Sequence, residues 1–188
     1  MHHLRPQLSR RHTLVKGLGW LSLGLAGPGA WAQSAATVSP AQMERQATEL
    51  PATGTKLILP ELSLLGGGQF RPDHKPGQIT VVYWWASTCP FCAQQSPEMQ
   101  KLWQAWQGKG LQMLALSIDR KPEEAKAYLE KKGYTFPSAW VSAEVHKALP
   151  KPRGLPVTLV LGPDGKVLQA ERGQMFAEDV AQISQWIK

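Results

Sequence analysis

Cysteine is scarce in this chain: Cys89 and Cys92 are the only two among 188 residues. A tetrahedral zinc site is therefore short of ligands, because outside the first 32 residues only His74 and His146 add nitrogen donors, and neither has ligand-like spacing. Acidic residues are absent from positions 1–32, which hold four of the 21 Lys and Arg. The remaining 156 residues carry a formal charge of +3, against +7 for the whole chain. The high isoelectric point is thus partly a property of the N-terminus. A clustered basic stripe is also missing. Lys131 and Lys132 read as a helix end, and Lys147, Lys151 and Arg153 as a solvated loop, so no nucleic-acid surface is expected. Long apolar runs are absent too. The Gly-rich stretch over 14–27 falls short of the roughly 18 or more apolar residues that spanning a bilayer takes, and no other segment approaches that length. There is no internal repeat, and 156 residues suffice for one domain with a single core.

What the N-terminus does contain is Arg5, Arg10, Arg11 and Lys16, then the apolar stretch, then Ala30-Trp31-Ala32. This is the three-part layout of an export signal over 1–32, with an A-x-A cleavage site and a mature chain beginning at Gln33. Ser9-Arg10-Arg11-His12-Thr13-Leu14 resembles a twin-arginine signal, and Gly17, Gly19 and Gly24 keep its hydrophobicity modest. Thr13 stands where that motif usually has Phe, and Lys16 lies one place late. A Sec signal with adjacent arginines, or retention of the segment as an anchor, stays open.

Residues 33–56, rich in Ala, Thr, Ser and Gln with Pro40 and Pro51, read as a flexible tether with one short helix over 42–50; the folded domain is expected over 57–188. Residues 57–65, Gly66-Gly67-Gly68 and Gln69-Phe70 suggest an N-terminal hairpin. The continuous apolar run 79–86 reads as a central strand covered on both faces. A helix over 92–107 places Met99, Leu102, Trp103 and Trp106 on one face, and 111–118 is a second apolar strand, completing a right-handed parallel crossover. Residues 122–132 are marked as a helix by Pro122, early acids, late bases and Gly133 just beyond. A short strand over 136–141 and a short helix over 143–149 follow. Two strands, 157–161 and 166–171, flank Gly162-Pro163-Asp164-Gly165 as a hairpin. Phe176, Val180, Ile183 and Ile187 then recur at helical spacing on a final amphipathic helix. The expected fold is α/β: a small mixed sheet with helices on both faces.

Cys89-Pro90-Phe91-Cys92 stands where the first core strand gives way to a helix, at the carboxyl end of the strand, where α/β folds place chemistry. Two intervening residues put both sulfurs at one helix start, where free N–H groups and the positive end of the macrodipole favour a thiolate. A redox-active dithiol needs that bias. A structural disulfide normally closes a much longer loop, since most of its stabilisation comes from restricting the unfolded chain; that reading and half of a metal site remain as alternatives.

The order of parts resembles the thioredoxin fold, and specifically the TlpA/ResA/DsbE-like family of exported thiol-disulfide oxidoreductases, over about 57–188. Three blocks carry the resemblance: residues 84–92, Trp-Trp-Ala-Ser-Thr-Cys-Pro-Phe-Cys; Ser96-Pro97-Glu98; and residues 154–165, Gly-Leu-Pro-Val-Thr-Leu-Val-Leu-Gly-Pro-Asp-Gly. It implies a thioredoxin-like fold with an N-terminal β-hairpin extension. It also implies Cys89 as the attacking thiol, Cys92 as the resolving thiol, Pro156 as a cis-proline beside them, and the Leu155 backbone as the partner of a substrate chain. Thr88, Pro90 and Phe91 stand as further substrate-contacting positions. The resemblance implies a periplasmic monomer with no bound cofactor and no metal, reduced by a membrane protein of DsbD or CcdA type. Its clients would be protein disulfides, such as those of apocytochromes c or copper-assembly proteins. A disulfide-forming oxidant of secreted proteins and a copper-binding assembly module are the alternatives on the same fold, thiolates being suited to Cu(I).

Several positions depart from the family pattern. Thr88 replaces the Trp that commonly precedes the first cysteine, Tyr83 stands where thioredoxins have a buried Asp, and Gln95 where some members have Glu. Both familiar carboxylate proton relays are thus missing, leaving His146 and Glu98 as candidate proton acceptors for Cys92. Residues 88–92 taken alone read like a glutaredoxin site, which the surrounding chain does not match. A peroxiredoxin-type peroxidase shares the fold, but the P-x-x-x-T-x-x-C arrangement is absent.

Overall fold

The computed structural model describes residues 38–188. The export signal expected over 1–32 and the first part of the expected tether lie outside the described residues. The chain runs α1 (Pro40–Arg45), β1 (Leu62–Ser63), β2 (Gln69–Phe70), β3 (Ile79–Trp85), α2 (Pro90–Trp106), β4 (Leu111–Ser117), α3 (Pro122–Lys132), β5 (Ser138–Trp140), α4 (Ala143–Ala148), β6 (Val157–Leu161), β7 (Val167–Arg172) and α5 (Ala177–Gln182), which passes into a 3-10 turn, Ile183–Trp186. β1 and β2 pair as the small antiparallel hairpin expected ahead of the core.

β3 is buried at every position because it lies at the centre of a five-stranded sheet ordered β5-β4-β3-β6-β7. It runs parallel to β4 and antiparallel to β6. Successive side chains on a strand point to opposite faces. Ile79, Val81, Tyr83 and Trp85 therefore enter one apolar layer, with Met99 and Leu102 of α2, Leu129 of α3 and Val180 of α5. Val82 and Trp84 enter the other layer, with Met43 of α1, Phe70 of β2 and Leu149 just beyond α4. Each such side chain, fully buried, contributes about 1.5–3 kcal/mol before entropy is counted. The sheet is mixed and helices cover both faces.

Local chemistry sets the element ends. Pro122 opens α3, Glu123 and Glu124 occupy its first turn, Lys131 and Lys132 its last, and Gly133 closes it at φ 66°. In the β6–β7 turn, Gly165 sits at φ 76°, and a Cβ there would lie 2.9 Å from the Leu57 carbonyl. The Leu57 N–H in turn donates to the Gly165 carbonyl at 2.9 Å, which seats the start of the domain on this turn.

Three expectations are corrected. Residues 38–56 are packed against the domain rather than forming a free tether. Ser39 caps α1 with a reciprocal Ser39–Gln42 capping box, Met43 is fully buried, and Thr48 and Lys56 make bridges to Pro152 and Lys166. Composition marks this stretch as polar and loses the few contacts that hold it. Lys151, expected in a solvated loop, is fully buried, its ammonium engaged by the Glu44 carboxylate at 2.7 Å. The C-terminal helix is short and ends in the 3-10 turn, and Phe176 is 64% exposed. The chain before α5 is anchored by the Met175 N–H, so Met175 fills the layer in place of Phe176.

Partial burial raises the Glu44 carboxyl, but hydrogen bonds from Lys151 and Gly154 and the charges of Lys151 and Arg153 outweigh it, so its pKa lies below the ordinary 4.5. A carboxylate held below its unfolded value adds stability that is fully present above the ordinary value and is lost as pH falls through the folded one. The melting temperature of Glu44→Gln is therefore expected to lie below wild type near neutrality, with the gap closing as pH drops below 4.5. A gap that stays constant into acid would assign the effect to packing rather than charge.

Candidate active site

Cys89 follows β3 by the short turn Ala86-Ser87-Thr88 and is the N-cap of α2, with Pro90 in the first turn, where its missing N–H costs nothing. Cys89 and Cys92 form a disulfide with Cα atoms 5.2 Å apart. The Cys92 N–H donates to the Cys89 Sγ at 3.1 Å, so a free donor in the first turn of a 17-residue helix faces that sulfur, an arrangement that favours a thiolate there. The two sulfurs differ in access. Cys92 is 1% exposed within the α2 layer, while Cys89 is half-buried.

Pro156 immediately precedes β6, whose Val157 pairs with Trp84 at the end of β3, so it stands at the same end of the sheet as the cysteines. The Leu155–Pro156 peptide is cis. Cys89 and Leu155 are the two half-buried apolar residues that pack against both layers, which puts them where the layers meet at this end of the sheet. Thr88, Pro90 and Phe91 are exposed beside Cys89, Phe91 at 55%. Cys89, Leu155 and Pro156 thus lie at one end of the sheet, with Thr88, Pro90 and Phe91 next to Cys89 in the chain. Among the described residues, neither the N–H nor the carbonyl of Leu155 is taken up by another backbone group, whereas the Pro156 carbonyl accepts from Gly173 at 2.9 Å.

Two residues that shape the site were missed or undervalued in the sequence. Asp119, 3% exposed just past β4, accepts from the Ser87 N–H at 3.0 Å, the Ser87 hydroxyl at 2.7 Å and the Ser117 hydroxyl at 2.8 Å. It thereby fixes the turn that leads into Cys89. Its position at the carboxyl end of the second core strand was the available signal. Gln95, one turn after Cys92 and fully buried, donates to the Thr158 hydroxyl at 2.9 Å and accepts from the Met175 N–H at 2.8 Å. Its amide ties the cysteine helix to the strand after Pro156 and to the chain entering α5.

Neither candidate proton acceptor is brought to Cys92. His146 lies on α4, whose neighbour Val145 packs in the opposite layer; its Nδ1 is buried without a partner among the described residues, and burial, then the Lys151 charge, push its pKa below 6.5. Glu98 lies six residues further along α2 and is held by Lys101 at 2.9 Å. Tyr83 bonds the Ser96 hydroxyl at 3.0 Å and donates to the Cys92 carbonyl at 3.4 Å. Burial pushes its phenol upward, away from any role as a base. Among the described residues no three His, Cys, Asp or Glu side chains are grouped to hold a metal ion, and no helix is long and apolar enough to cross a membrane.

Gln95→Glu is expected to be accommodated, since Met175 keeps its acceptor and the Thr158 hydroxyl turns to donate. Full burial raises the new carboxyl above its ordinary range. It therefore adds an ionisation to the pH dependence of the step in which Cys92 reacts. Stability relative to wild type is full below the ordinary carboxylate range and declines as pH rises through it toward the raised folded value. Melting curves and pH–rate profiles check both; a variant with the wild-type profile would show that position 95 has no path to Cys92.

A thioredoxin fold carrying a cysteine pair at the first turn of the helix after its central strand defines the thiol–disulfide exchange class. The chain belongs to the AhpC/TSA family, whose pattern matches residues 53–170. It is similar to the thiol-disulfide oxidoreductase ResA of Geobacillus thermodenitrificans, with 25% identity over 145 residues, 77% of this chain and 82% of the relative. Among solved structures, a thioredoxin family thiol:disulfide interchange protein from Chlorobium tepidum matches with a TM-score of 0.64 and 20% identity, over 73% of this chain and 98% of that one. StoA from Bacillus subtilis matches with a TM-score of 0.57 and 21% identity, over 72% and 98%.

Proposed function

We propose that this protein is a periplasmic thiol-disulfide oxidoreductase that cycles the Cys89–Cys92 disulfide and reduces disulfides in exported client proteins. The observation that carries the reading is the asymmetry of the pair: a half-buried Cys89 at the helix start and a fully buried Cys92 one turn inward. In the reaction, the Cys89 thiolate attacks one sulfur of a client disulfide. That S–S bond breaks, one client thiolate leaves, and a mixed disulfide remains. Cys92, as its thiolate, then attacks the Cys89 sulfur and expels the second client thiolate. Two electrons have passed to the client, and Cys89–Cys92 is oxidised. A membrane thiol reductant of DsbD or CcdA type restores the dithiol, and apocytochromes c or copper-assembly proteins serve as clients. The free backbone groups of Leu155 pair with the client chain beside Pro156, and Thr88, Pro90 and Phe91 form the rim it crosses. The chain acts as a monomer, delivered by the twin-arginine-type signal over 1–32.

Alkylation of the reduced protein at mildly acidic pH is expected to modify Cys89 about tenfold or more faster than Cys92. Preferential modification of Cys92 would reverse the roles. Equilibration with glutathione gives the direction: a potential well below that of the glutathione couple supports reduction of clients, while a strongly oxidising one would make the protein a disulfide donor.

A further inference from the structure

A lysine with no exposed surface is costly unless its charge and all three protons are answered. Lys151 meets that condition in one place. Its Nζ donates to the Glu44 carboxylate at 2.7 Å, to the Pro152 carbonyl at 2.7 Å and to the Gly154 carbonyl at 2.8 Å. The other oxygen of Glu44 accepts the Gly154 N–H at 3.1 Å. Both backbone groups of Gly154 are thus held by one ion pair, and Gly154 directly precedes Leu155, whose own backbone groups are left unpaired among the described residues. The clamp spans 107 positions of sequence and joins α1 to the loop before β6. Thr48 adds a second tie, accepting from the Arg153 N–H at 2.8 Å, and Glu49 bridges Arg172 at 2.7 Å and Arg153 at 3.3 Å.

Apolar residues of similar volume commonly match a buried ion pair in stability; here the four hydrogen bonds of Lys151 and Glu44 fix the geometry of the loop at Gly154. We propose that Glu44 and Lys151 are positioning residues that hold Gly154 so that the Leu155 backbone is presented to the client chain. The N-terminal segment carrying α1 is then part of the substrate-binding apparatus. This rests on the reading of Leu155 as the client-pairing residue. Both residues act through Gly154 and touch neither sulfur, so their loss weakens capture of an extended protein chain and leaves the thiol chemistry intact.

The test compares a protein disulfide, insulin, with a small aromatic disulfide that needs no backbone pairing. Glu44→Gln removes the charge from a half-exposed side chain. Lys151→Met keeps much of the stem volume and serves as a second variant, with melting curves confirming that each is folded. KM for insulin is expected to rise about fivefold in each, the size of one lost hydrogen bond, with kcat, the rate toward the small disulfide and Cys89 alkylation within about twofold of wild type. A wild-type KM for insulin in folded Glu44→Gln overturns the inference, as does an equal loss toward both disulfides. A wild type that fails to reduce insulin overturns the functional reading and this inference with it.

Discussion

Cys92→Ser is expected to turn the protein into a trap. Cys89 keeps its place at the start of α2, with the N–H of residue 92 still directed at its sulfur, so attack on a client disulfide proceeds. The mixed disulfide then has no internal thiol to resolve it. Turnover should fall by about a thousandfold or more, in the manner of residues that act as a unit. Clients should accumulate on Cys89 and be released by reductant, and mass spectrometry of exported proteins captured on the variant would name them. Cys89→Ser should capture nothing, because the remaining sulfur is 1% exposed. Capture by Cys89→Ser and none by Cys92→Ser would refute the assignment of roles.

Tyr83→Asp should produce the largest loss of stability. The position invites the change, since thioredoxins carry a buried Asp there, but this site is built around a phenol. Tyr83 is fully buried at the centre of β3, meets the Phe136 ring edge-on at 6.4 Å between centroids, and holds both the Ser96 hydroxyl and the Cys92 carbonyl. Aspartate leaves a void where the ring was, strands the Ser96 hydroxyl, and places a carboxyl in an apolar layer. The cost should be about 3–5 kcal/mol near neutral pH, from cavity and desolvation together. Burial raises the folded pKa of the new carboxyl, so the variant should be least unstable in acid and lose stability as pH rises through the ordinary carboxylate range. Tyr83→Phe, which removes only the hydroxyl, should cost about 1 kcal/mol. Denaturant midpoints across pH measure all three, and a Tyr83→Asp protein as stable as wild type at neutrality would show that water or an unseen rearrangement relieves the carboxyl.

The elements around the cysteines were legible because their signals are local. α3 has its proline, acids, bases and closing glycine within a dozen residues, and its ends fall where those residues place them. β3 reads as buried on both faces because seven successive residues are compatible with nothing more exposed. Cys89-Pro90-Phe91-Cys92 announces its chemistry by spacing and by following that strand. Phe176 misled because helical spacing alone does not say where a helix begins, and the bond from the Met175 N–H to Gln95 moved that beginning past it.

The residues alone determined the kind of chemistry, the strand and helix that position it, and the proline that accompanies it, since each depends on side-chain type and near-neighbour order. Tertiary structure decided which polar groups are structural. Lys151 looks like any loop lysine until Glu44 and two carbonyls converge on it, and Gln95 looks like a missing carboxylate until Thr158 and Met175 take up both ends of its amide. The same holds for α1, a short polar helix of little intrinsic stability that is held in place because Met43 enters the second layer. Partners that lie 63 to 107 positions apart leave no periodic trace in the chain, and a buried polar group is recognised only when the groups that satisfy it are brought together in space.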